Sequence, residues 1–156
     1  SQNPRNVAAL LLASDHFMAT GQWDVAIAML DGLRERLGNR DATILNKLAW
    51  AWFGQGNNDR ALTYAGAAYA MAISNPALAS SYGWMLYKSG KDKNGGIALL
   101  KKSVAIAPNA PLLRFQLAQL MVESGDKAGA KPHLQAAIAM PDFAERNAAQ
   151  DLLNRI

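Results

Sequence analysis

Asn75-Pro76-Ala77-Leu78-Ala79-Ser80-Ser81-Tyr82-Gly83-Trp84-Met85-Leu86-Tyr87-Lys88-Ser89-Gly90 sets the reading frame for the whole chain. Asn followed by Pro starts a helix: the Asn side chain accepts hydrogen bonds from first-turn amides, and the fixed φ of Pro suits the first helical position. Within the stretch, Tyr82, Gly83 and Leu86 share one face, apolar but with a small residue at its centre. Gly90 then ends the helix by taking the left-handed conformation that other residues avoid. Moving outward, that terminal glycine returns as Gly21, Gly56, Gly90 and Gly125, at intervals of 35, 34 and 35 residues. A constant period of this size predicts stacked copies of one supersecondary unit.

Aligned on the glycines, the copies agree in detail. Seven residues before each lies a small residue, Ser14, Ala49, Gly83 or Ala118, preceded by Ala13, Leu48, Tyr82 or Leu117. Three residues after it stands Phe17, Trp52, Leu86 or Met121. This predicts an amphipathic helix, A, whose small residue admits another backbone at close range. A second helix, B, follows the turn. Ala26, Ala61 and Ala130 come five residues after the glycine, and Gly96 comes six after, so the third turn holds one extra residue. Leu30, Ala65, Leu100 and Leu134, then Leu33, Ala68, Ser103 and Ala137, continue that face. Asn3-Pro4, Asp41, Asn75-Pro76 and Asn109-Ala110-Pro111 read as helix starts between copies. No useful length of period-two alternation predicts a strand.

The pairs Leu48-Ala49, Tyr82-Gly83 and Leu117-Ala118, the turn glycines, the helix B alanines and Pro108 together resemble the tetratricopeptide repeat (TPR) family over residues 7–142. The resemblance implies an all-α, right-handed superhelical solenoid of about four hairpins in a single domain, 1–156. The repeats are expected at about 7–40, 41–75, 76–109 and 110–142, with a C-terminal capping helix at 143–156. Gly38 and Ile73 depart from the family's terminal Pro, and Pro141 stands later than expected. Pro132, inside the last helix B, predicts a kink or a late helix start there. In the cap, Phe143, Leu152, Leu153 and Ile156 are expected to cover the last hairpin while Glu145, Arg146, Asn147, Gln150, Asp151, Asn154 and Arg155 face water. The run from Asn75 to Gly90, with the ending from Ala137 to Ile156, also resembles the C-terminal repeats of large bacterial TPR proteins, some of which accompany exopolysaccharide export or exosortase systems. That likeness implies an envelope role; the residues themselves leave cytoplasm, periplasm and envelope open.

Composition narrows the function. No apolar run reaches the roughly 20 residues a membrane span needs. With no cysteine, disulfides and thiolate metal sites are excluded. His16 and His133 lie in different copies without a second ligand at helical spacing, so no metal or other cofactor is expected. The glycine- and lysine-rich run from Ser89 to Gly96 lacks the order of a phosphate-binding loop and reads as an enlarged turn. No convergent set of titratable groups predicts an enzyme. The first residues, Ser-Gln-Asn-Pro-Arg-Asn, do not read as a signal peptide, and the absence of an initial Met leaves a fragment of a longer array open.

In a TPR array the A helices line the binding groove. The resemblance therefore points to triples on their free side: Leu11, Asp15 and Met18; Asn46, Trp50 and Phe53; Ser80, Trp84 and Tyr87; Phe115, Gln119 and Val122. Trp50 and Trp84 are equivalent, as are Phe53 and Tyr87. The expected partner is a protein or peptide segment held on these aromatics and flanked by Asn46, Ser80, Arg114 and Gln119. Each buried ring would contribute about 2–3 kcal/mol before ordering costs. The same large residues can instead fill the space between helices, since packing constraints also repeat. With no Lys or Arg in the triples, a clamp for a chaperone's C-terminal carboxylate is disfavoured. Single-stranded nucleic acid is disfavoured too, because Lys88, Lys91, Lys93, Lys101, Lys102, Lys127 and Lys131 gather on turns and B helices, away from the aromatics. The stretch Val7 to Leu12 is mostly apolar and offers self-association or stacking on further repeats as the alternative role.

Overall fold

The computed structural model describes residues 4–156, with side chains from residue 6 onward. Nine α-helices and no strand occur among the described residues: α1 (Pro4–Ala19), α2 (Trp23–Leu37), α3 (Ala42–Gly54), α4 (Asn58–Met71), α5 (Pro76–Lys88), α6 (Lys93–Ile106), α7 (Pro111–Glu123), α8 (Lys127–Ala139) and α9 (Arg146–Arg155). Odd-numbered α1 to α7 are the A helices and even-numbered α2 to α8 the B helices. They fall into two compact units, Ser1–Ile73 and Ser74–Ile156.

The first unit consists of the hairpins α1–α2 and α3–α4. Its core is Ala26, Ile27, Leu30, Leu33, Ile44, Leu48 and Ala51, with Phe17 and Trp52 packed against it. Asp41 caps α3, its carboxylate accepting from the amides of Thr43 at 2.8 Å and Ile44 at 3.2 Å. Each A-to-B turn in this unit closes with paired backbone bonds. The amide of Gln22 reaches the Phe17 carbonyl at 2.8 Å, and that of Asn57 reaches Trp52 at 2.9 Å. Gly21 and Gly56 make this geometry through φ of 73° and 89°. The expected start at Asn3 lies outside the described residues.

The second unit consists of α5–α6, α7–α8 and α9. Tyr87, Leu100, Phe115, Leu117, Leu120, Met121, Leu134 and Phe143 are among its core residues. Asn75 caps α5 through the amides of Ala77 and Leu78, and Asp92 and Asp126 cap α6 and α8 through Gly95 and Gly129. The helices α5 and α6 cross backbone to backbone. A methyl group added at Gly83 would stand 2.7 Å from the Gly96 carbonyl oxygen, and one at Gly96 would stand 2.6 Å from the Gly83 carbonyl oxygen. Beside this crossing the buried Ser103 hydroxyl donates to the Pro76 carbonyl at 2.7 Å.

Two local expectations need correction. Of the two outcomes expected at Pro132, the late start does not occur: α8 begins at Lys127 and carries Pro132 in its interior, with the Asp126 carboxylate accepting from the Gly129 amide. The capping helix does not begin at Phe143, because Asp142 takes a left-handed φ of 54° and α9 starts only at Arg146. Phe143 still packs inward, edge-on to Phe115 at 5.9 Å. Leu152, Leu153 and Ile156 are half-buried, and the seven polar residues assigned to water are exposed.

Candidate functional site

In the first unit, α3 brings Asn46, Trp50 and Phe53 to one side at a helical spacing of four and three residues. All three are half-buried. The rings of Trp50 and Phe53 meet edge to face, with centroids 6.0 Å apart and planes at 89°. Trp52 instead packs against the core, and the Arg60 guanidinium lies 4.5 Å over its ring. The Asn46 amide oxygen is buried without a hydrogen-bond partner among the described residues. An unsatisfied buried acceptor costs about 1–3 kcal/mol, which a donor brought by a ligand would offset.

In the second unit the corresponding positions are more deeply packed. Ser80, Tyr87 and Phe115 are 3%, 4% and 6% exposed. The Ser80 hydroxyl donates to the Gln116 amide oxygen at 2.6 Å. Burial, with the Glu123 carboxylate second, raises the Tyr87 phenol above its ordinary pKa, so the group stays neutral. Trp84 is half-buried against the core, with the Lys88 ammonium 5.1 Å from its ring centroid. Lys88 also pairs with Glu123.

Phe115, Gln119, Val122 and Glu123 on α7 face Ala148, Leu152 and Arg155 on α9 across an open cleft of about 280 Å³. Arg114 does not join them. Its Nε donates to the Pro108 carbonyl at 2.7 Å, and Nη1 lies 3.3 Å from Nδ1 of His133 on α8. Burial first, then Arg114 and Lys101, lowers the His133 pKa, leaving a neutral imidazole near pH 7. The wall supplied by α9 is absent from the sequence-based site. Leu152, read only as a cover for the last hairpin, was the available signal. The Lys88–Glu123 pair was legible as opposite charges two residues before successive turn glycines. Among the described residues no group of His, Asp and Glu could hold a metal ion, and no helix is long and apolar enough to cross a membrane.

Helical hairpins that recur along the chain, each closed by a glycine turn, define an all-α helical-repeat protein. The repeat is of tetratricopeptide type. A thermophilic TPR protein of Thermus thermophilus is similar with a TM-score of 0.81 at 19% identity, over 95% of this chain and 81% of that one. The TPR-like repeats of a putative kinesin light chain from Podosopora anserina give 0.76 at 17% identity, over 99% and 87%. The type III secretion translocator chaperone SycD of Yersinia enterocolitica gives 0.66 at 19% identity, over 83% and 97%. No protein-family model and no curated protein sequence matches the chain. The likeness is therefore one of fold.

Proposed function

We propose that this chain is a non-catalytic scaffold for protein–protein interaction that holds a peptide or protein segment on the aromatic sides of its A helices. The observation that carries the reading is the α3 face: two half-buried rings beside an amide acceptor with no donor. Aromatic anchors with a few polar groups are what a peptide-binding surface needs. A peptide amide directed at Asn46 would satisfy the buried oxygen while an apolar side chain covers Trp50 and Phe53. The second unit, taken by itself, offers a surface of the same kind in Trp84 and in the α7–α9 cleft with Phe115 and Gln119. Ser80 and Tyr87 are buried on α5, the helix that carries Trp84. SycD, of similar fold, is a chaperone of translocators, which supports a role of protein upon protein.

The test starts from peptides selected on the wild-type chain from a random display library. Trp50→Ala is expected to weaken the selected binders by more than about 1 kcal/mol, the usual threshold for a binding hot spot. Its circular dichroism should stay that of the wild type, with the melting temperature lowered by a few degrees at most. Selected binders that ignore Trp50→Ala and Trp84→Ala alike would sink the reading.

A second reading has its own observation. Leu12 on α1 is 72% exposed, and Ala8, Ala9 and Ala19 on the same helix are also exposed. This supports association of α1 with a second copy. Sedimentation at rising concentration should then reveal a dimer that Leu12→Glu abolishes; a strict monomer opposes it.

A further inference from the structure

The B helices of the two units differ in charge: nearly balanced in the first, basic in the second. In the first unit, α2 holds Asp24, Asp31 and Glu35 against Arg34 and Arg36, and α4 holds Asp59 against Arg60. In the second, α6 carries Lys93, Lys101 and Lys102 with no acid, and α8 carries Lys127 and Lys131 with no acid. The nearest carboxylates, Asp92 and Asp126, are engaged as helix caps. Lys93 and Lys127 are the first residues of their helices, where the macrodipole disfavours a cation. Local helix stability therefore does not explain the pattern, and a solvated surface does not need one sign of charge.

The basic residues stand on helices that flank one A helix. All five lysines are exposed, and α6 and α8 both pack against α7. Lys127 and Lys131 stand one turn apart on α8. Lys101 lines an open cleft of about 320 Å³ together with Asn94, Ile97, Ala98, Met121, Ser124 and Asp126, the last of which is held as the α8 cap. Neither α6 nor α8 contains a Phe, Tyr or Trp, so the surface has no platform for stacking bases. Met121 sits in the cleft, 5% exposed; the apolar groups form a recess rather than a projection that could enter a bilayer.

We propose that the lysine-bearing side of α6 and α8 is a second interaction surface, which takes an acidic protein segment carrying an apolar side chain. The carboxylates would meet Lys101, Lys127 and Lys131, and the apolar side chain would enter the recess over Ile97, Ala98 and Met121. Charge complementarity supplies the encounter and the recess supplies the register.

The experiment is fluorescence anisotropy of the full chain with a labelled Glu-rich peptide bearing one central Leu. At low salt the peptide binds, and binding weakens as salt rises. Lys101→Glu/Lys131→Glu weakens it roughly tenfold or more, whereas Lys101→Arg/Lys131→Arg retains it. Replacing the Glu residues by Gln, or the Leu by Ala, also weakens binding. Trp50→Ala and Trp84→Ala leave it unchanged, which separates this surface from the A-helix site. No binding at low salt, or equal binding by the charge-reversed variant folded by circular dichroism, overturns the proposal. So does indifference to the Leu, or a preference for phosphatidylserine vesicles or oligouridine over the peptide.

Discussion

Trp50 and Trp84 occupy the same place in successive repeats, 34 residues apart, yet they live in different surroundings. On α3, Trp50 stacks edge-on with Phe53, and both rings remain half-buried. On α5, Trp84 packs against the core of its unit, and Tyr87, the counterpart of Phe53, is buried. The cause lies one helix away. Where the α3–α4 hairpin has Ala49 and Ala61, the α5–α6 hairpin has Gly83 and Gly96. A methyl at Gly96 would come within 2.9 Å of the Tyr87 Cβ, so the missing methyl is what lets Tyr87 sit under α6. Repetition therefore preserves helix placement without preserving the role of each side chain. The position that is half-buried beside Phe53 in one unit is packed against the core in the next.

The most forceful way to break that comparison is Gly83→Ala. Alanine favours a helix over glycine by roughly 1 kcal/mol. Here its methyl would meet the Gly96 carbonyl and Leu99 Cβ, both within 2.8 Å. Backbone cannot rotate aside, so overpacking should win and the net loss should be about 2–3 kcal/mol in urea unfolding. The opposite change in the other hairpin, Ala49→Gly, costs about 1 kcal/mol from helix entropy with no clash to relieve. If Gly83→Ala were neutral or stabilising, the two crossings would be interchangeable and the explanation for Tyr87 would fall with them.

The sequence carried the architecture much further than the site. Gly21, Gly56 and Gly125, Asp41, Asn75-Pro76 and the small crossing residues act within a few residues of themselves or once per period, so their effects could be read from spacing. The third turn's extra residue, Lys91, was visible for the same reason, and the Asp92 amide now reaches back to the Leu86 carbonyl at 3.3 Å. The fate of Ser80, Tyr87 and Phe115 depended on distant partners: Gln116 for the first, the α5–α6 crossing for the second, Phe143 for the third. Helical periodicity gives the side of a helix on which a residue stands. It does not give how closely the next helix approaches that side. Arg114 was misplaced beside the aromatic triple for a related reason, since the Pro108 carbonyl that turns it toward α8 belongs to a loop with no periodic signal.

A smaller effect sharpens the contrast between the two indoles directly. Trp84→Ala removes a half-buried ring from a packed core and should cost about 2 kcal/mol of stability. Trp50→Ala removes a ring that is half-buried but outside the core cluster of its unit, and the expected loss is smaller, about 1 kcal/mol. Chemical denaturation of both variants measures the difference, and far-ultraviolet circular dichroism checks that both keep their helices. The order of the two losses is what matters. Were Trp50→Ala the more destabilising, its ring would be filler for the first unit, and the aromatic pair on α3 could no longer be a surface held ready for a partner. With Trp84→Ala the costlier change, Trp50 is the position at which binding can be altered without altering the fold, and its variant is the informative one in any partner measurement.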